Sequence, residues 1–319
     1  MPAKLRAMEA ITFEPLYMER VWGGRELENV YHRALPKPGV PYGESWEISD
    51  RPNEQSVVRG GPLDGMTLHD LWTTRREELF GPGYDSHPDF PLLIKVLDAR
   101  DDLSIQVHPP AEKAADLGGD PKTEMWFIAD ALPGAKLYAG LKRGVTREAF
   151  EASIRTGTVE ACTHAISPAA GDSIFIPSGR LHAIGAGFLI HEIQQNSDTT
   201  YRVFDWNRPG LDGKPRELHV AQSMASIDFH DFEPSMDTPD GETLAECPYF
   251  KTCLRPLADG AELHNSDPQR FSIISVVEGK LSAQDGRTFE KGSFLLLPRG
   301  ANPLKSTGTS QVLQITLPA

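Results

Sequence analysis

The chain of 319 residues carries 32 lysines and arginines against 45 aspartates and glutamates, a formal net charge of −13. That length allows one large or two medium domains with ample core, and the acidic balance argues against nucleic acid or an anionic membrane as a partner. An anionic substrate would have to be drawn by local cations and not by the overall field.

Twenty-six prolines and 28 glycines imply many turns between short strands. No apolar stretch approaches the roughly 20 residues a bilayer span requires, and the opening Met1-Pro-Ala-Lys-Leu-Arg-Ala-Met8 has no apolar signal core, so a cytoplasmic protein is expected. Cys162, Cys247 and Cys253 are odd in number, lack metal-ligand spacing and read as free thiols of a reducing compartment.

Residues 10–60 read as short extended segments separated by turns: Ile11-Thr12-Phe13, Glu19–Gly24 and Gly43–Ser49. Thr67–Gly81 has a helical pattern, with Thr67 as cap, Leu68, Leu71, Trp72 and Leu79 at helical spacing, and Gly81 as the stop. Phe90–Asp98 is a buried strand interrupted by Lys95, and Leu103–Pro109 alternates as a second strand. Further helical patterns run from Pro110 to Leu117 and from Thr146 to about Ile166, the latter opening with good capping chemistry.

From Gly171 onward β signals dominate. The acidic, turn-rich residues 229–245 are the best linker candidate. They suggest a larger domain over 1–235 with helical elements, and a C-terminal β domain over 236–319.

The most informative stretch is Gly171-Asp-Ser-Ile-Phe-Ile-Pro177-Ser-Gly179-Arg-Leu-His182. A turn glycine, a hydrophobic strand and a second turn can carry the chain across a β-barrel wall, reverse it and aim His182 into the mouth. Lys291-Gly-Ser-Phe-Leu-Leu-Leu-Pro-Arg-Gly300 echoes the pattern, which implies two related barrels in tandem. The echo has Asn302-Pro-Leu where His182 would fall, so the second barrel is expected to hold no metal ligands.

Gln106 and His108 stand two apart on an alternating strand and share a face, as do Lys122 and Glu124. With His182, these supply two imidazoles, a carboxylate and an amide oxygen from three separate strands. That donor set suits Zn²⁺ with open positions, and equally Fe²⁺ or Mn²⁺. Taken singly, each histidine is more often a hydrogen-bonded side chain than a ligand, and Glu124 more often a solvated charge; their conjunction carries the reading.

The Gly-x5-Pro-x-Gly-x2-His pattern resembles the second motif of cupins. Arg20–Gly24, Gly43–Ser49, Leu93–Asp98, Leu103–Pro109, Lys122–Trp126 and Gln194–Arg202, in collinear order over about residues 12–228, resemble the type I mannose-6-phosphate isomerases in their short bacterial form. The resemblance implies a mainly β fold of cupin, jelly-roll-like barrels with a few helices on the N-terminal one. It implies that Gln106, His108, Glu124 and His182 bind one catalytic zinc per chain, that Arg202 lines the catalytic pocket, and that Lys95, Ser104 and Lys122 face a sugar phosphate.

Glu192 falls at a pocket carboxylate of the family pattern. His191, on the opposite face of its strand, stands where the short enzymes usually have an apolar residue and reads as a satisfied, non-ligand histidine.

The implied reaction interconverts mannose 6-phosphate and fructose 6-phosphate through an enediol(ate). Metal and Arg202 would stabilise the oxyanion, Glu192 or Lys122 would move the proton, and Lys95 with Ser104 would anchor the phosphate. Lys122 would need a lowered pKa for its part. Three other readings use the same residues: a cupin oxygenase with a two-histidine, one-carboxylate iron site, a non-catalytic sugar-phosphate-binding cupin, and an isomerase of another hexose phosphate. Oligomeric state is not legible.

Overall fold

The computed structural model describes residues 8–318; the first seven residues, most of the stretch that lacks a signal core, lie outside them. The chain groups into two compact units whose segments interleave. One takes Tyr17–Trp46 and Leu92–Asp237; the other takes the chain up to Leu16, Glu47–Pro91, and the chain from Thr238. The residues expected as one larger domain over 1–235 are divided between the two units, those up to Leu16 and Glu47–Pro91 grouping with the C-terminal segment.

The architecture is mainly antiparallel β. In the first unit a six-stranded sheet runs in the order Leu16–Gly24, Tyr42–Ile48, Leu92–Ala99, Phe188–Gln195, Glu124–Ala131, Ser173–Ile176. A five-stranded sheet runs Tyr201–Phe204, Ile105–Val107, His182–Ile184, Leu137–Leu141, Thr163–Ile166. Leu97, Trp126, Ile128, Ile174 and Ile190 from the first sheet meet Leu137, Ala139 and Ile184 from the second in one buried cluster. The Phe90–Asp98 and Leu103–Pro109 segments thus form strands as their patterns predict, one in each sheet.

Close approach of chains decides one residue in this wall. A Cβ built on Gly43 would lie 2.6 Å from Arg20 Cβ and 2.6 Å from the Trp22 ring, so only glycine lets these two side chains cross the strand.

The helical expectations are met in part. Thr67 caps Leu68–Thr74 in a reciprocal capping box with Asp70, but Arg75 leaves helical geometry and Arg76–Leu79 forms a separate turn. Thr146 caps Arg147–Thr156 by accepting the Ala149 N–H. Gly157 then adopts φ 69°, a left-handed stop that ends the helix well short of Ile166; Thr163–Ile166 is a strand instead. Only Ala111–Ala114 of the Pro110–Leu117 pattern is helical, and the end of the acidic linker, Thr243–Glu246, pairs as a strand with Lys251–Leu257.

The second unit has its own five-stranded and four-stranded sheets. Ile274, Val276, Leu295 and Val312 of one pack on Leu263, Leu281, Phe289 and Leu304 of the other. The sequence echo is a structural one. Ser173–Ile176 and Phe294–Leu297 are each an edge strand of their sheet. The glycines before and after them have positive φ in both copies: 95° at Gly171 and 93° at Gly179, 83° at Gly292 and 63° at Gly300. The three cysteines are free thiols.

Replacing Gly43 by alanine should force Arg20 and Trp22 aside and destabilise the protein by about 1–3 kcal/mol, the usual range for overpacking. Urea denaturation would measure it, and a variant as stable as the parent would mean that the wall yields.

Candidate metal centre and adjoining cavity

Backbone hydrogen bonds set the two imidazoles. His108 Nδ1 lies 2.7 Å from the Thr199 carbonyl and His182 Nδ1 lies 2.9 Å from the Arg180 carbonyl. A carbonyl only accepts, so each ring carries its proton on Nδ1 and turns the Nε2 lone pair inward.

Those lone pairs face Glu124, at 3.6 Å from His108 Nε2 and 3.7 Å from His182 Nε2. The carboxylate is fully buried, and neither of its oxygens has a hydrogen-bond partner; nor has His108 Nε2. Lys122 Nζ stands 3.0 Å from Glu124 Oε2, near enough for charge attraction but out of hydrogen-bond alignment. The ligating atoms of His108, Glu124 and His182 all lie within 4.8 Å of one another, the spacing a single cation needs to reach all three.

Local sequence explains the convergence. His182 pairs directly with Gln106 across the five-stranded sheet, while Glu124 opens a strand of the six-stranded sheet. The Pro177-Ser-Gly179 turn ties them together. Gly179 N–H donates to the His108 carbonyl at 2.9 Å, and Ser178 Oγ accepts the Lys122 N–H at 3.1 Å. One turn therefore fixes all three ligand-bearing segments.

Gln106 is adjacent but differently oriented from the expectation. Its amide nitrogen lies 3.3 Å from His182 Nε2, and its oxygen accepts from Ser104 Oγ at 3.1 Å. A half-turn of the amide exchanges the two and presents the oxygen.

Burial, and then the neighbouring Lys122, lower the His108 pKa; burial and the adjacent His108 push that of His182 down to about 3, so both rings are neutral lone-pair donors. Burial would raise Glu124, but the Lys122 ammonium beside it opposes this, and the carboxyl is held well below its ordinary value. Burial would likewise lower Lys122, but Glu124 and Glu192 drive it above its ordinary value and keep it an ammonium.

Beside this cluster is a cavity of about 380 Å³ lined by Gln106, Lys122, His182 and Arg202 together with Lys95, Ser104 and Glu192. Every expected pocket residue is thus brought together. Lys95, 3% exposed, faces Glu44 at 3.8 Å, Glu192 at 3.7 Å and Asp198 at 3.6 Å, with Nζ 4.7 Å from the Trp46 ring centre. Its charge is therefore already balanced by the protein.

Glu192 carries a pKa above the ordinary carboxylate value, because burial and the Glu124 charge outweigh the two lysines. Arg202 lies opposite Gln106 at a register shift in the sheet, and its buried Nε has no hydrogen-bond partner. Burial and Arg216 lower its pKa. His191 is fully buried on the far side of its strand, its Nε2 2.6 Å from Tyr31 Oη, a satisfied core histidine as expected.

Sequence reasoning did not single out Arg20, Glu44, Trp126 and Asp198, which also line the cavity. Glu44 takes a bidentate bond from Arg20 at 2.9 and 3.2 Å and another from Trp46 Nε1 at 2.6 Å. Alternation along Gly43–Ile48 could have flagged it as an inward charge.

Two packed antiparallel sheets with a buried His–Glu–His cluster beside a charged cavity define a protein of the cupin type whose cluster is able to hold a metal ion. A family profile described as phosphomannose isomerase type I, catalytic domain, matches residues 11–125. Mannose-6-phosphate isomerase ManA of Bacillus subtilis (strain 168) is 37% identical over 96% of this chain and 98% of its own. The mannose-6-phosphate isomerase of Streptococcus mutans is 34% identical over 92% and 94%. The crystal structure of the mannose 6-phosphate isomerase from Bacillus subtilis superposes with a TM-score of 0.85 at 32% identity, over 97% of this chain and 100% of that one. A mannose 6-phosphate isomerase bound with zinc and yttrium shares the fold at a TM-score of 0.74 and 15% identity, over 98% and 100%. The chain belongs to the type I mannose-6-phosphate isomerase family.

Burial would raise the Glu44 carboxyl, but Lys95 and Arg20 outweigh it and hold the pKa at about 2 against 4.5. A folded pKa below the unfolded one gives stability that is complete above the unfolded value and drains away as pH falls toward the folded one. Glu44 therefore contributes to acid unfolding between pH 4.5 and about 2. Glu44→Gln should flatten the pH dependence of thermal melts through that window; an unchanged slope would show that the pairing is not maintained in solution.

Proposed function

We propose that this protein interconverts mannose 6-phosphate and fructose 6-phosphate as a metal-dependent aldose–ketose isomerase. The observation that carries the reading is the set of buried, unsatisfied ligand atoms, His108 Nε2 and both oxygens of Glu124, beside a cavity lined by His182, Gln106, lysines and arginines. Leaving such atoms unpaired is costly unless a cation takes them.

His108, Glu124 and His182 fit a divalent metal by donor type, neutral tautomer and spacing. Gln106 would complete the set through its oxygen. The structure of the same fold bound with zinc and yttrium supports Zn²⁺, and the His108–Glu124–His182 cluster has the spacing for one such ion. Bound there, zinc supplies Lewis-acid polarisation of a sugar oxygen.

The remaining steps fall to the chain's own groups. Proton transfer between C1 and C2 requires a base that reaches both carbons. Lys122 is held as an ammonium between Glu124 at 3.0 Å and Glu192 at 3.6 Å, so it serves as a fixed positive charge and not as the base. Glu192, on the cavity wall with a raised pKa, is the group suited to take up and return the proton. The Arg202 guanidinium, part-buried beside Gln106, can stabilise the enediolate oxygen.

The phosphate has Ser104 and Lys95 on the cavity wall. Lys95 already balances carboxylates, so binding there also draws on Arg216, which lines the same cavity. Anchoring at that end holds the reacting carbons against base and metal. The same ligand set on iron would make an oxygenase, but the cations lining the cavity match an anionic sugar better than a neutral oxygenase substrate.

Glu124→Ala and His182→Ala should each lose bound metal and isomerase activity together, read by metal analysis and a coupled assay with mannose 6-phosphate. Full activity in metal-depleted protein would overturn the metal-dependent mechanism. Arg202→Ala should lower kcat by about 10²-fold or more, the scale for removing one oxyanion-stabilising donor. A change confined to KM would place Arg202 at the phosphate instead.

A further inference from the structure

Lys95, Glu192 and Trp126 form a cross-strand row in the six-stranded sheet. Glu192 lies directly opposite Lys95 on one side and directly opposite Trp126 on the other, so all three side chains share the face that lines the cavity. Within the row the two carboxylate oxygens of Glu192 have different surroundings. Oε2 accepts the indole N–H of Trp126 at 3.0 Å, whereas Oε1 lies 3.7 Å from Lys95 Nζ and 3.6 Å from Lys122 Nζ.

Trp126 is 1% exposed, and its ring meets the His182 imidazole edge-on with centroids 5.5 Å apart at 78°, so the indole is held from two sides. An indole N–H can only donate. A proton on Oε2 would face that donor and break the bond, whereas a proton on Oε1 would not.

We infer that Trp126 is a positioning residue for the isomerase reaction: its N–H locks the Glu192 carboxylate in one orientation and confines the transferred proton to Oε1. This rests on the acid–base reading of Glu192. The chemistry needs such a device, because one carboxylate must collect a proton at one carbon and deliver it to the next without rotating away. A carboxylate with two equivalent free oxygens would spend part of its time with the proton turned from the substrate. An aligned, singly available oxygen removes that loss.

Trp126→Phe removes the N–H together with part of a buried ring, so kinetics are read beside thermal stability and metal content. It should lower kcat about tenfold, the scale of one hydrogen bond to a charged group, with KM within about twofold and metal content unchanged. In a Glu192→Gln background the same substitution should cost nothing further, because the group it positions is already gone.

A second measurement leaves Trp126 in place. In ¹⁵N-tryptophan-labelled protein, the indole N–H resonance of Trp126 should move on Glu192→Gln while those of the other tryptophans stay. An unchanged kcat in Trp126→Phe, a loss that multiplies with that of Glu192→Gln, a loss explained by missing metal, or an unmoved indole resonance would each overturn the inference. A fully active Glu192→Gln would instead overturn the acid–base reading, and with it the catalytic part of this inference.

Discussion

Glu124 accepts no hydrogen bond and is sealed from water, yet its surroundings keep it ionised. Burying such a charge is expensive unless cations lie close, and the geometry of the cluster follows from meeting that requirement. Lys122 supplies that positive charge 3.0 Å from Oε2, while the two neutral imidazoles turn their lone pairs toward the same carboxylate, each held by a carbonyl behind it. Lys122 in turn is placed by the serine of the Pro177–Gly179 turn, and the glycine of that turn holds the strand end that bears His108. The stretch that a reader of the sequence notices first is thus the piece that fixes the spacing of the whole site.

Much of this is legible in the sequence because it is written in short-range patterns. Two-residue alternation placed Gln106 with His108 and Lys122 with Glu124, and it separated Glu192 from His191. Those relations depend only on strand geometry. The Gly-x5-Pro-x-Gly spacing announced the turn in both copies, since positive φ at these positions leaves little choice but glycine.

What stayed hidden is pairing at long range. The row Lys95–Glu192–Trp126 joins three strands far apart in sequence, and only sheet order makes them neighbours. Lys95 shows the same limit from the other side: a lysine in an apolar strand signals a buried partner, but the sequence does not say that three carboxylates of the chain fill that role. Helical periodicity also runs on past the point where one residue, Arg75 or Gly157, leaves helical geometry inside an otherwise continuous pattern. The interleaving of residues 47–91 with the C-terminal segment is likewise a property of contacts and not of composition.

The crossing at Gly43 reaches beyond packing. Arg20 and Lys95 are long, flexible side chains, and in solution each would sample many rotamers. Here Arg20 is clamped on Glu44, and Lys95 lies over Trp46 among carboxylates. Their conformational entropy is surrendered when the chain folds, so a sugar phosphate arriving later does not have to order them.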